Sequence, residues 1–244
     1  MRVLARHIED PRRCSYLPSE RARLETLLID DVSPLELEVL LERGWRRFGP
    51  TYFRPRCAAC TACDSIRVVV DRFAPSKSQR RAVKRASALS RVVARPRVDD
   101  ERLALHAKWH AHREGVRGWE PNPIDFEGYA IHFAWPHPSA REVTFRDPAN
   151  DGALVAVGLW DVTPRASSAV FFFFDPDYAG LSLGIANVVL GVEDARRERR
   201  PHVYLGYRVR GCASLEYKAR FAPYEQLEGR PRLGETPRWN LRSD

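Results

Sequence analysis

No apolar run in this chain approaches the ~18 residues that crossing a bilayer requires. Its first ten residues carry an acidic pair, Glu9-Asp10, where an export signal needs an apolar stretch. A cytoplasmic protein with no membrane partner is therefore expected. Cysteine is scarce, five residues in all, and an odd number with three of them closely spaced excludes a disulfide framework, leaving reduced thiols or metal ligands. Lysine occurs only at Lys77, Lys84, Lys108 and Lys218, so the positive charge is almost all arginine. Internal repeats and low-complexity segments are missing. So is a nucleophile triad, which speaks against chemistry through an acyl-enzyme.

What is present is a chain of 244 residues, 44% of them hydrophobic, enough for a sizeable core and one or two domains. The net charge of +8 favours a polyanionic partner. From Arg72 to Val98 there are nine basic residues and no Asp or Glu, a clustering that general arginine usage does not explain. Ser76 and Gln79 open a helix there, whose apolar Ala82, Val83, Ala86 and Leu89 leave Lys77, Arg80, Arg81, Lys84 and Arg85 on the opposite side. Ser33-Pro-Leu-Glu36 is another capping box, and residues 66–70 read as a strand. A proline break near Arg95-Pro96-Arg97 separates a Cys-containing N-terminal domain, 1–97, from a second domain, 98–244. The second domain reads as a helix over 99–114, strands over 142–146, 153–162 and 167–174, a helix over 182–199, a strand over 202–209 and a helix over 213–221. That order makes the fold class α+β, a GNAT-like acyltransferase domain preceded by a smaller Cys-containing one. The tail after 230 is expected to drape over the surface or move freely.

Cys57, Cys60 and Cys63 form a CxxCxxC run, whose thiolates can turn onto one zinc ion or iron–sulfur cluster if a fourth ligand is supplied. His106 and His110 also have metal spacing on a helix, but no acidic motif accompanies them, and solvated or capping roles are expected. The turn Asp175-Pro-Asp177 follows the 171–174 strand and places two carboxylates where an acetyl-CoA enzyme carries a glycine-rich pyrophosphate loop. That argues against acetyl-CoA. Asp175 either receives and deprotonates an ammonium or caps the turn.

Five ordered blocks resemble the aminoacyl-tRNA-protein transferases. They are Cys14-Ser-Tyr-Leu-Pro18; Gly44-Trp-Arg-Arg-Phe-Gly49 running into Arg54-Pro-Arg-Cys57 and on to Cys63; Pro75-Ser-Lys-Ser-Gln-Arg-Arg81; Phe174-Asp-Pro-Asp177 with Leu181-Ser-Leu-Gly184; and Tyr204-Leu-Gly-Tyr-Arg-Val-Arg-Gly-Cys212 with Tyr217-Lys218 and Phe221. The likeness spans residues 14–225 and is nearest to the bacterial aspartate/glutamate leucyltransferase branch. It implies the same GNAT-like fold and transfer of an amino acid, most of all leucine, from aminoacyl-tRNA such as Leu-tRNA to the N-terminal Asp or Glu of proteins. In the family that step marks proteins for degradation by an N-end rule pathway, and no DNA partner is involved.

The resemblance also implies site residues. Cys14 becomes the fourth thiol, and the strip Lys77, Arg80, Arg81, Lys84 and Arg85 becomes the tRNA contact. Tyr204, Tyr207, Tyr217 and Lys218 flank a cleft in which hydroxyls could meet the terminal ribose or the ester, and Arg54, Arg67, Lys218 or Arg220 could meet the acceptor's carboxylate. Catalytic expectations fall on Asp175, Tyr207 and Lys218. The donor ester is already activated, so no cofactor is required for transfer, and any zinc or cluster would be structural. Arg208 stands where the family usually has Trp, and Cys212 is expected to pack beneath its turn. Three other readings remain open: arginyl transfer to the same acceptors, a GNAT N-acetyltransferase, and a zinc-containing RNA-binding module.

Overall fold

The computed structural model describes residues 1–243. The Ser33 hydroxyl accepts from the Glu36 amide while the Ser33 amide donates to the Glu36 carboxylate at 2.9 Å. With Pro34 in the first turn, this starts the helix Pro34–Glu42. Its Leu37, Leu40 and Leu41 share a buried cluster with Leu27, Ile29, Trp45 and Tyr52. These come from a four-stranded antiparallel sheet ordered Arg2–Ile8, Leu24–Asp30, Thr51–Pro55, Arg46–Phe48, and from the turn beside it. A second set of strands runs Trp239–Arg242, Tyr224–Leu227, Cys63–Val69, His202–Val209, each antiparallel to its neighbour. Ala166 to Ser168 join parallel, opposite His202 to Tyr204.

The expected boundary at 97 is not where the chain divides. It folds as two units, one of residues 1–74, 162–168 and 195 onward, the other of residues 75–161 and 169–194. The reason is strand pairing: Cys63–Val69 finds its partners in His202–Val209 and Tyr224–Leu227, a long-range choice that local composition does not record. The tail drapes over the surface as an edge strand. Trp239–Arg242 pairs with Tyr224–Leu227, and the Trp239 ring lies 5.7 Å from that of Tyr204, so an aromatic anchor holds a segment that reads as polar and proline-broken.

In the second unit, Ala153–Val162 is buried along nearly its whole length and pairs with Ala140–Asp147, which pairs in turn with Ser90–Ala94. In the helix Leu183–Arg197, Gly191 sits so close to the Trp160 ring that a Cβ has no room, and Trp160 Nε1 donates to Asn187 Oδ1 at 3.3 Å. Helix Asp100–Arg117 is anchored by Arg102, 3% exposed, whose Nε lies 3.0 Å from both Glu142 oxygens. His106 and His110 on this helix are neither solvated nor caps. Both are buried, and the His106 ring packs on Phe133 and Phe173 at 5.1 and 5.4 Å. Burial, then the neighbouring His110, lowers His106 to about 4. The helix Phe126–Phe133, the strand Ser90–Ala94 and the N-terminal hairpin of Arg2–Ile8 with Leu24–Asp30 were not legible in the sequence. The helix expected over 213–221 is one short turn, Ala213–Glu216, continued as a 3-10 turn, Tyr217–Arg220. The protein is thus a mixed α/β structure. Among the described residues no helix is long and apolar enough to cross a membrane.

Candidate active site

Three of the five sequence blocks meet inside the first unit. The hinge is Gly206, at φ +77°, where the register of His202–Val209 against Cys63–Val69 slips. Such a bulge re-aims the neighbouring carbonyls, and two cations take them. Arg46 Nη2 donates to Gly206 O and to Ser65 Oγ, both at 3.2 Å, and its guanidinium lies over the rings of Tyr204 and Tyr207 at 5.2 and 5.7 Å. Lys218 Nζ donates to Tyr207 O at 3.1 Å, and a Cβ at position 206 would come within 3.4 Å of that nitrogen. Glycine is required there by the left-handed backbone of the bulge. The Cys14-to-Pro18 block closes the same region, since a Cβ on Gly211 would meet Leu17 at 3.5 Å. Burial, then the Arg46 charge, lowers Lys218 to about 8, and an amine with that pKa exchanges protons readily near neutral pH.

The other expected residues are placed differently. Tyr207 Oη donates to the Gly44 carbonyl at 2.7 Å, and burial raises this phenol above its ordinary range. It ties the Gly44 block to the strand. Tyr204, 1% exposed, accepts from Arg67 Nη1 at 3.1 Å, and burial pushes it up to about 12. Arg67 is committed to Glu225 at 2.7 Å, and Arg54 to Glu25 at 2.8 Å and Pro231 O at 2.7 Å. Both arginines, which the sequence suggested as the acceptor's partners, serve an internal carboxylate, 158 and 29 residues away along the chain. Tyr217 packs beside Phe221 at 6.4 Å, and Arg220 is exposed. Arg208, in the family's Trp position, donates to Tyr224 Oη at 3.1 Å.

All five cysteines are free. Burial, then the charges of Cys57, Cys14 and Cys60, pushes the Cys63 thiol up to about 12. A set of four thiols suits a soft ion or an iron–sulfur cluster. Among the described residues, however, no group of three or more His, Cys, Asp or Glu side chains is already gathered as an ion requires. Cys212 precedes its short helix without a side-chain cap hydrogen bond, its Sγ 3.3 Å from Ser214 Oγ.

The second unit carries the basic strip. In the helix Lys77–Ala86, Ala82 and Ala86 are buried while Lys77, Arg80, Arg81, Lys84 and Arg85 are all exposed. Arg80 donates to Pro75 O at 2.5 Å and Arg85 to Ser182 Oγ at 3.0 Å, neutral acceptors that leave the charge unbalanced. Asp175 accepts from the Asp177 amide at 3.0 Å, which is the capping role, and its carboxylate also holds the ammonium of Lys108 at 2.6 Å. Sequence reasoning overlooked Arg46, although it lies within the quoted Gly44–Gly49 block, and Lys108, which carried no local motif.

Two family models match along this chain: the N terminus of arginine-tRNA-protein transferase over residues 12–81, and its C terminus over residues 101–228. The chain belongs to the arginine-tRNA-protein transferase family. Its branch is that of the bacterial leucyltransferases. An "Aspartate/glutamate leucyltransferase" of Stenotrophomonas maltophilia is 41% identical over 78% of this chain and 76% of its own length. Proteins of the same name from Helicobacter hepaticus and Campylobacter jejuni are 31% and 32% identical, over 98% of both chains and over 91% and 92% respectively. Among solved structures, FemX covers 82% of this chain and 68% of its own at 10% identity and a TM-score of 0.49, too slight a likeness to argue from.

Proposed function

We propose that this protein transfers leucine from aminoacyl-tRNA to the N-terminal Asp or Glu of cytoplasmic proteins, marking them for degradation by an N-end rule pathway. One observation carries the reading: both family models match in order along a single chain, and a relative of that name aligns over 98% of it. In the reaction the α-amine nitrogen attacks the ester carbonyl and a C–N bond forms. The amine's proton passes to a base, and the C–O bond to the terminal ribose breaks, releasing that oxygen as a hydroxyl. The ester is already activated, so the barrier is chiefly one of positioning and of removing the proton.

Lys218, with its pKa near 8 beside the Gly206 bulge, is the group that takes the proton. The strip on the helix Lys77–Ala86 holds the tRNA backbone. Strands followed by strand-helix-strand-helix form the GNAT-like part. Cys14, Cys57, Cys60 and Cys63 would hold a zinc ion or iron–sulfur cluster as a structural tie between the N-terminal segment and the strand Cys63–Val69. The test is to incubate purified protein with labelled Leu-tRNA or Arg-tRNA and peptides beginning Asp, Glu or Ala. Leucine on the Asp and Glu peptides alone is expected; arginine transfer, or equal transfer to Ala, overturns it.

A further inference from the structure

The first unit contains a cleft of about 600 Å³ that continues into a smaller lobe of about 420 Å³. At its base lies Glu25, 1% exposed. Three guanidiniums converge on this single carboxylate: Arg54 Nε at 2.8 Å, Arg56 Nη1 at 3.3 Å, and Arg6, whose Nε donates at 2.9 Å. Burial opposes the charge, but hydrogen bonds from Arg54 and then Arg6 outweigh it and hold the Glu25 carboxyl below its ordinary range. One negative charge thus organises three positive ones, and Arg23, Arg230 and Arg232 line the same walls. The local surplus is cationic. Arg54 is locked by Pro231 O and by the face of Trp45, 4.5 Å away. Arg6, Arg56 and Arg232 keep 57%, 48% and 88% of their side chains exposed, and Arg232 stands 4.0 Å from the exposed Glu235 carboxylate, so these heads, within reach of solvent, are the ones a ligand meets.

We infer that this cleft is the receptor for the carboxylate side chain of the acceptor peptide, with Arg56 and Arg232 as its cationic contacts. The inference rests on the acceptor reading above and names the place where that specificity is exerted. Two features favour a short acidic peptide over a nucleic-acid backbone. Val3, Leu27 and Leu233 line the cleft along with the arginines, apolar surface suited to the residues that follow a peptide's first. The one aromatic ring in the lining, Trp45, is 3% exposed and already covered by Arg54, so bases find no stacking platform. Arg54 and Glu25 fix the positions of the exposed heads and act as positioning residues, because neither presents a free group.

The test uses fluorescent peptides beginning Asp or its neutral isostere Asn, titrated into the full-length protein without tRNA and read by anisotropy. Two charge-assisted hydrogen bonds should make the Asp peptide bind at least about ten-fold tighter than the Asn peptide. Arg56→Gln with Arg232→Gln should erase that difference. It should raise KM for the Asp peptide by a similar factor, leaving kcat at saturating peptide and the affinity for Leu-tRNA unchanged. Arg232→Glu alone, at a side chain too exposed to affect folding, should weaken the Asp peptide as well. Equal binding of Asp and Asn peptides, or a loss of tRNA affinity in place of peptide affinity, overturns the inference. Asp-selective binding by a protein that transfers nothing from Leu-tRNA would uphold the cleft and overturn the transferase reading alone.

Discussion

The basic face of the helix Lys77–Ala86 permits a quantitative test. Arg80, Arg81, Lys84 and Arg85 are exposed, and none of them is ion-paired among the described residues. Their charge is therefore available to phosphates. Replacing all four by Ala leaves the capping box of Ser76 and Gln79 and the buried Ala82 and Ala86 untouched, and alanine favours helix, so the melting temperature should hold. Each phosphate contact contributes about 0.7 to 0.9 to the slope of log affinity against log salt, so losing four should flatten that slope by roughly 3. Between about 50 and about 200 mM salt the native protein should then lose ~60-fold more affinity for tRNA than the variant, or ~10-fold more if only two of the four side chains reach phosphates. A filter-binding or anisotropy titration across that range measures it. Parallel salt slopes for the two proteins would refute the assignment, and the strip would be a solvated face.

Lys218→Arg keeps the positive charge but not the titration. It should cut kcat by about 100-fold and remove the limb near pH 8 from the kcat profile, and a preserved limb would show that another group takes the proton. Lys218 is lowered in the folded protein from 10.5 to about 8, so the unfolded chain binds the extra proton across that interval. Stability should accordingly rise with pH through the window, by up to about 3 kcal/mol, and the rise should vanish in Lys218→Met. Tyr207→Phe deletes a hydroxyl that donates to Gly44 O, so it should cost about 1 to 3 kcal/mol of stability in chemical denaturation while leaving the transfer rate of folded protein nearly unchanged; a large fall in kcat would restore the phenol to the chemistry. Protein purified without oxygen should contain zinc or iron by elemental analysis, and Cys60→Ser should lose it together with stability. Active protein free of both elements would return the four thiols to packing.

Local chemistry was readable wherever neighbours in sequence are also neighbours in space. The capping boxes at Ser33 and Ser76, the strand His202–Val209, the alternating face of the basic helix and the spacing of Cys57, Cys60 and Cys63 depend on residues a few positions apart. Ordered motifs likewise carried the family and its branch, because they record the chemistry a chain performs. Tertiary structure decided the partners of charged groups. Arg54 and Arg67 read as free cations until Glu25 and Glu225 reached them from distant strands, and Tyr207 read as a hydroxyl open to the cleft until Gly44 O accepted its hydrogen bond. The division into units was hidden for the same reason, since Cys63–Val69 pairs with a strand more than a hundred residues later. A buried polar group must find a partner wherever the fold supplies one, and sequence spacing places no bound on where that is. The bulge at Gly206, the lowered pKa of Lys218 and the arginine cleft over Glu25 all arise from such long-range meetings.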